Sequence, residues 1–140
     1  MGKSNNDVMQ QLAACNHQNW THTIDAHVFD DAQVFLTLTM DDKDAADVSD
    51  EFQKNQTTIS HYRPADLVRA AKLPMLPIND PDVALHLKEI DSSNVKLCPV
   101  LVIRGNKKRP ACIADGYHRT CAGFYTDPHC EIPVVIIDAK

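Results

Sequence analysis

No apolar run in this sequence approaches the roughly 20 residues needed to cross a bilayer, so no transmembrane helix is expected. The opening residues, Met1-Gly2-Lys3-Ser4-Asn5-Asn6, lack the hydrophobic segment of a secretory signal. Cysteine occurs five times, an odd number, and never as C-x-x-C. Cys15, Cys98, Cys112, Cys121 and Cys130 therefore read as free thiols in a reducing, cytoplasmic compartment, not as a disulfide framework. Internal repeats and low-complexity tracts are absent. So is a broad basic face. The one dense cationic cluster, Lys107-Lys108-Arg109, reads as an exposed hairpin tip, and the net charge is −5. Glycine is scarce as well, at four residues, and the only one between Gly105 and Gly123 is Gly116.

What is present is enough for one domain with a real core: 140 residues, 44% of them hydrophobic. Charge is divided unevenly. Residues 1–56 hold 3 Lys and Arg against 10 Asp and Glu, a balance of −7, whereas residues 57–140 hold 11 against 9, a balance of +2. The expected organisation is an acidic, mostly helical extension over 1–56 followed by a compact α+β domain over 57–140, with the seam near Asn55–Thr58. The second part tolerates an anionic ligand better than the first.

In chain order, Val8, Met9, Leu12 and Ala13 predict a short helix ending near Cys15. Ile24 to Phe29 reads as extended. Asp30 or Asp31 is placed to cap a helix carrying Ala32, Phe35, Leu36 and Met40, and Asp41 to Gln56 reads as a surface helix or loose connection. Ile59 to Tyr62 is a short strand. Pro64 suits the first position of a helix to Ala71. Leu73-Pro74-Met75-Leu76-Pro77 must be a stiff apolar loop, because each proline disfavours helix before it. Asp80 caps a helix from Pro81 to Ile90. Cys98 to Ile103 is an apolar run suited to a strand covered on both faces. Ala111 to Ala114 returns antiparallel, a helix runs from Tyr117 to Tyr125, and Ile132 to Ile137 is a last strand, expected to be parallel to its predecessor across that helix.

The stretch Asp115-Gly116-Tyr117-His118-Arg119 falls where a strand turns into a helix. The first amides of a helix have no partner within it and sit at the positive end of its dipole, a place that suits a phosphate. Gly116 would let a ligand approach the backbone. His118 and Arg119 would add a tunable donor and a permanent cation. No metal-ligand set is read from spacing: His17, His22 and His27 recur every five residues, which puts no two on one face. His61 and His86 read as structural. Arg63 and Arg104 are secondary phosphate candidates, and Cys121 reads as core.

From Ile59 to Asp138 the chain resembles the ParB/sulfiredoxin-like family. The resemblance is carried by the helix–loop–helix order, Pro99-Val100 opening a strand, the box Asp115-Gly116-Tyr117-His118-Arg119 and the closing Ile132-Pro133-Val134. The box is most similar to the Asp-Gly-His-His-Arg form of small-molecule kinases of that fold. This implies that Gly116, Tyr117, His118 and Arg119 bind the phosphates of ATP or CTP with Mg²⁺. It also implies that Asp115 orients a metal-bound water or a substrate hydroxyl, and that Asp80 or Asp82 supplies a catalytic carboxylate. Arg119→Ala would then abolish binding and leave the fold intact. Tyr117 stands where sulfiredoxins carry their reactive cysteine, so that activity is not implied.

Two readings follow from the resemblance. One is an enzyme, a kinase acting on a small hydroxyl-bearing substrate or a nucleotide hydrolase. The other is a non-catalytic nucleotide-binding module that biases a conformational or homodimer equilibrium. A ParB-like nuclease or DNA-binding role ranks below both, because no helix-turn-helix pattern follows the last strand.

Overall fold

The computed structural model describes residues 19–92 and 95–138. The helix expected to end near Cys15 lies outside them, as does His17. Within them the chain runs α1 (Ala26–Leu36), α2 (Asp42–Lys54), β1 (Ser60–Tyr62), α3 (Pro64–Ala70), α4 (Pro81–Asp91), β2 (Val100–Arg104), β3 (Cys112–Asp115), α5 (Tyr117–Thr126) and β4 (Ile132–Asp138). The result is an α+β fold around a mixed four-stranded sheet of order β1-β4-β2-β3.

The centre of the sheet explains the layering. Val100, Leu101, Val102 and Ile103 of β2 are all buried, so both faces of the strand need cover. Side chains alternate across a strand. Leu101 and Ile103, with Val135 and Ile137 of β4, face a cluster formed with Val28, Phe29 and Leu36 of α1 and Ala45 and Phe52 of α2. Val100 and Val102, with Val134, face the other way onto Leu67 of α3, Ala71 and Trp20. Behind that layer Val68, Val83, Cys121 and Ala122 join α3, α4 and α5. Two helices thus cover one face and three the other. Each fully buried Leu or Phe in these layers contributes about 1.5–3 kcal/mol.

β2 pairs antiparallel with β3 and parallel with β4, from Val100↔Val134 to Arg104↔Asp138. This corrects one expectation. β4 does not lie beside β3; it passes to the far side of β2, so β3 and β4 run antiparallel to each other. β4 is buried on both faces along most of its length, so the fully covered edge of β2 suits it better than the outer edge of a four-residue strand. Pro133 lies opposite His61 in the β1 ladder, one residue before the β2 ladder begins at Val134.

The N-terminal helices also differ from expectation. Ala26 to Phe29 is helical, and the N-cap is Asp25. Val28, Phe29, Ala32 and Leu36 fall on one helical face and are buried together, and that packing overrides the strand-like local sequence. Asp41 caps α2 by accepting from the Asp44 N–H at 2.8 Å. Ala45, Ser49 and Phe52 are buried along one side of α2 while its acidic residues face outward, so α2 is seated on the sheet and is not a loose connection.

No helix among the described residues is long and apolar enough to cross a membrane. Cys98, Cys112 and Cys121 are free thiols. Cys130 is disulfide-bonded, against the expectation of reduced thiols throughout.

Candidate functional site

The box begins where β3 ends. A bulge between the pairs Leu101↔Asp115 and Val102↔Ile113 gives β3 an extra residue just before the turn. Gly116 then takes φ 109°, ψ 18° and starts α5. Few residues other than glycine adopt that conformation. The first helical bond of α5 runs from the Thr120 N–H to the Gly116 carbonyl at 2.9 Å. The amides of Tyr117, His118 and Arg119 precede it, as in any helix N-terminus.

The guanidinium of Arg119 is engaged by the protein itself. Its Nε donates to the Cys98 carbonyl at 3.0 Å and its Nη2 to the Pro99 carbonyl at 3.0 Å. Its Nη1 lies 2.9 Å from Oδ2 of Asp115, with the two side chains only 13% and 18% exposed. The chain entering β2 presents two carbonyls just ahead of the ladder, and the arginine fork satisfies both while neutralising Asp115. The same guanidinium fills the space above the turn. A Cβ on Gly116 would come within 2.8 Å of its Nη2. The site roles expected of these residues meet a protein-internal geometry: Arg119 is engaged by the protein, Asp115 is its counter-ion, and the guanidinium occupies the space that Gly116 leaves open. The (i, i+4) spacing of Asp115 and Arg119 was the available signal of this pairing.

Tyr117 also has a structural task. Its hydroxyl donates to the Pro74 carbonyl at 2.5 Å, and the Tyr125 hydroxyl donates to the Leu76 carbonyl at 2.6 Å. Two phenols from α5 therefore hold the apolar loop 73–77. Burial pushes the Tyr117 phenol above its usual pKa, with smaller contributions from Cys121 and Asp80. A raised pKa favours the neutral phenol in the folded state, so this stabilisation is intact below about pH 10, the ordinary Tyr value, and lost as pH climbs through the raised one. Tyr117→Phe is expected to cost about 1 kcal/mol and to speed amide exchange at Met75 and Leu76, with unchanged exchange counting against the tether.

The remaining box residue, His118, is at the surface and meets the start of α4. Its Nε2 is 3.6 Å from Oδ2 of Asp82, with side chains 41% and 66% exposed. Asp80 is the N-cap of α4, its Oδ1 accepting from the Asp82 and Val83 N–H groups at 3.0 and 3.1 Å. That bears out the capping role and leaves Oδ2 unused by the cap. One ligand atom from each of Asp80, Asp82 and His118 can be chosen so that all lie within 4.8 Å of one another. The start of α4 thus meets the His118 side chain of α5, and the positive dipole end of α4 is matched by its own Asp80 and Asp82. The sequence placed Asp80 and Asp82 after the loop; their meeting with His118 depends on α4 packing against α5, which no local pattern announces.

The other candidates go elsewhere. Arg104 pairs with Asp138 at 2.7 Å. His86 lies 3.1 Å from Glu89, and His61 lies 3.1 Å from His22 through their Nε2 atoms. Compared with known proteins, the chain matches no protein-family model, no curated protein and no solved structure.

Proposed function

We propose that this chain binds the phosphates of a nucleotide, ATP or CTP, where the N-termini of α4 and α5 meet. The observation that carries the reading is the convergence of Asp80, Asp82 and His118 within 4.8 Å beside the first amides of α5. The resemblance of the box to kinases of the ParB/sulfiredoxin-like family supports it. In this reading His118 and the amides of Tyr117 and His118 contact phosphate oxygens. Arg119 acts indirectly, by fixing the turn that presents those amides.

The donor set fits a divalent cation of the Mg²⁺ type through its carboxylate oxygens, since hard cations prefer oxygen and imidazole suits softer metals. Asp82 and the second oxygen of Asp80 would hold it, and its contribution would be charge neutralisation on the phosphates. The chemistry that follows is phosphoryl transfer to a small hydroxyl-bearing substrate, or hydrolysis of the nucleotide, which needs positioning and charge neutralisation more than covalent help. A carboxylate of the pair would orient the acceptor hydroxyl. The second reading, a module without turnover, is favoured by the tether of loop 73–77 to α5. A ligand at the α5 N-terminus would bias that loop or a dimer equilibrium.

Calorimetry with Mg²⁺ and ATP or CTP tests this. His118→Ala is expected to weaken binding about tenfold, as for loss of one charge-assisted hydrogen bond, and to leave the melting temperature unchanged. Diphosphate release that requires an added hydroxyl metabolite supports a kinase, release without one supports a hydrolase, and binding without release supports the module. No heat with any nucleotide overturns the reading.

A further inference from the structure

At the other end of β3 from the box, the β2–β3 hairpin faces the C-terminus of α3 across a concavity of about 560 Å³. Its lining includes Lys72, Lys107, Lys108 and Arg109 and no acidic residue. None of these four cations forms an ion pair among the described residues. Asp138, at the same end of the sheet, is already held by Arg104. We infer that this concavity is a second anion site, shaped for a small polyphosphorylated solute and independent of the α4–α5 site.

The loop that carries three of the cations is built, not slack. The Asn106 side chain accepts from the Lys108 and Arg109 N–H groups at 2.8 and 2.9 Å, and the Asn106 N–H donates to the Arg109 carbonyl at 2.9 Å. Gly105 is required for this closure, because a Cβ there would meet the Ala111 nitrogen at 2.5 Å. The Ala111 N–H donates to the Ala70 carbonyl at 3.0 Å and ties the hairpin to α3. The last carbonyls of α3 are therefore turned to protein donors, and the cations of the hairpin and Lys72 face the negative end of its dipole.

Lys72 supplies an independent observation. It is the only described non-glycine residue with positive φ, at 58°. The Lys72 N–H bonds to the Arg69 carbonyl and the Leu73 N–H to the Val68 carbonyl, so Lys72 occupies the left-handed position of a Schellman cap. Glycine fits that position without strain. A lysine there, at a position glycine would fill more easily, places a third ammonium beside the Arg109 guanidinium on the rim of the concavity.

Shape and composition favour a compact anion over a polymer. The lining has no aromatic ring on which a base could stack. The protein as a whole is acidic, with net charge −5, which opposes an extended polyanion. Several phosphates close together on one small molecule match several cations in one concavity.

Inorganic tripolyphosphate is the probe, titrated into the full chain by calorimetry. The triple variant Lys107→Ala, Lys108→Ala, Arg109→Ala is expected to weaken binding by about tenfold or more while keeping the wild-type melting temperature. Lys72→Gly is expected to weaken binding and to raise the melting temperature, a combination that damage to the fold cannot produce. The titrations are repeated in a His118→Ala background: tripolyphosphate binding that persists there and is lost on adding the triple substitution belongs to the hairpin site and not to the nucleotide site. Absence of binding overturns the inference, as does undiminished affinity in the triple variant. Tighter binding of single-stranded RNA than of tripolyphosphate also overturns it, in favour of a nucleic-acid surface.

Discussion

Arg119→Ala should destabilise the protein by about 3–5 kcal/mol, the range for removing one partner of a buried ion pair. The loss is not that of a surface contact. Asp115 would keep its charge at 18% exposure with no cation beside it. The Cys98 and Pro99 carbonyls would each lose the donor that now satisfies them. Each half-buried group left unpaired adds a desolvation cost of about 1–3 kcal/mol. In urea the unfolding midpoint should fall by about 2 M, given the usual slopes for a domain of this size. Two companions separate charge from geometry. Arg119→Lys retains the cation but cannot serve three acceptors with one planar fork, so it should recover only part of the loss. Asp115→Asn removes the carboxylate charge and keeps an acceptor, so it should cost less than Arg119→Ala. Wild-type stability in Arg119→Ala, combined with lost nucleotide affinity, would return the guanidinium to a ligand-facing role.

That prediction reverses the one drawn from the sequence, and the reason is instructive. The secondary structure after residue 57 was readable because its signals are local: Pro64 at a helix start, Asp80 before Pro81, the apolar run ending at Ile103, and a single glycine at the strand–helix turn. α1 departs from its local pattern because its signal is tertiary. Val28 and Phe29 look extended until Leu101 and Val135 are placed beneath them. The same limit applies at the site. A Gly-x-x-Arg box announces a turn and a cation, but not where the cation points. The answer depends on two carbonyls, at residues 98 and 99, that reach the box only through the β2–β3 pairing. His118 emerges as the exposed member of the box because Arg119 is turned inward, and Asp82 is brought to it by helix packing. Local chemistry marked the segment, and the partners that each of its side chains takes became visible only in the fold.

Gly116→Ala should cost about 3 kcal/mol, for two causes that can be measured apart. The backbone at φ 109°, ψ 18° lies outside the regions open to a residue with a Cβ, whatever surrounds it. The added methyl would also lie 2.8 Å from Nη2 and 3.1 Å from Cζ of Arg119, and 3.1 Å from Cγ2 of Val100. The first cause is indifferent to Arg119. The second largely disappears when the guanidinium is removed. In an Arg119→Ala background, therefore, Gly116→Ala should cost only the backbone strain and the Val100 contact. The two substitutions should be sub-additive by about 1 kcal/mol, a coupling typical of residues in direct contact. Strict additivity in urea unfolding would mean that the guanidinium does not occupy the space above the turn in solution. That space would then be open to an anion, and the phosphate contact proposed for His118 would be reassigned to Gly116. A coupling of the expected sign instead fixes the order of causes at this turn. The glycine is required by the arginine, the arginine by the entry to β2, and the outward position of His118 follows from both.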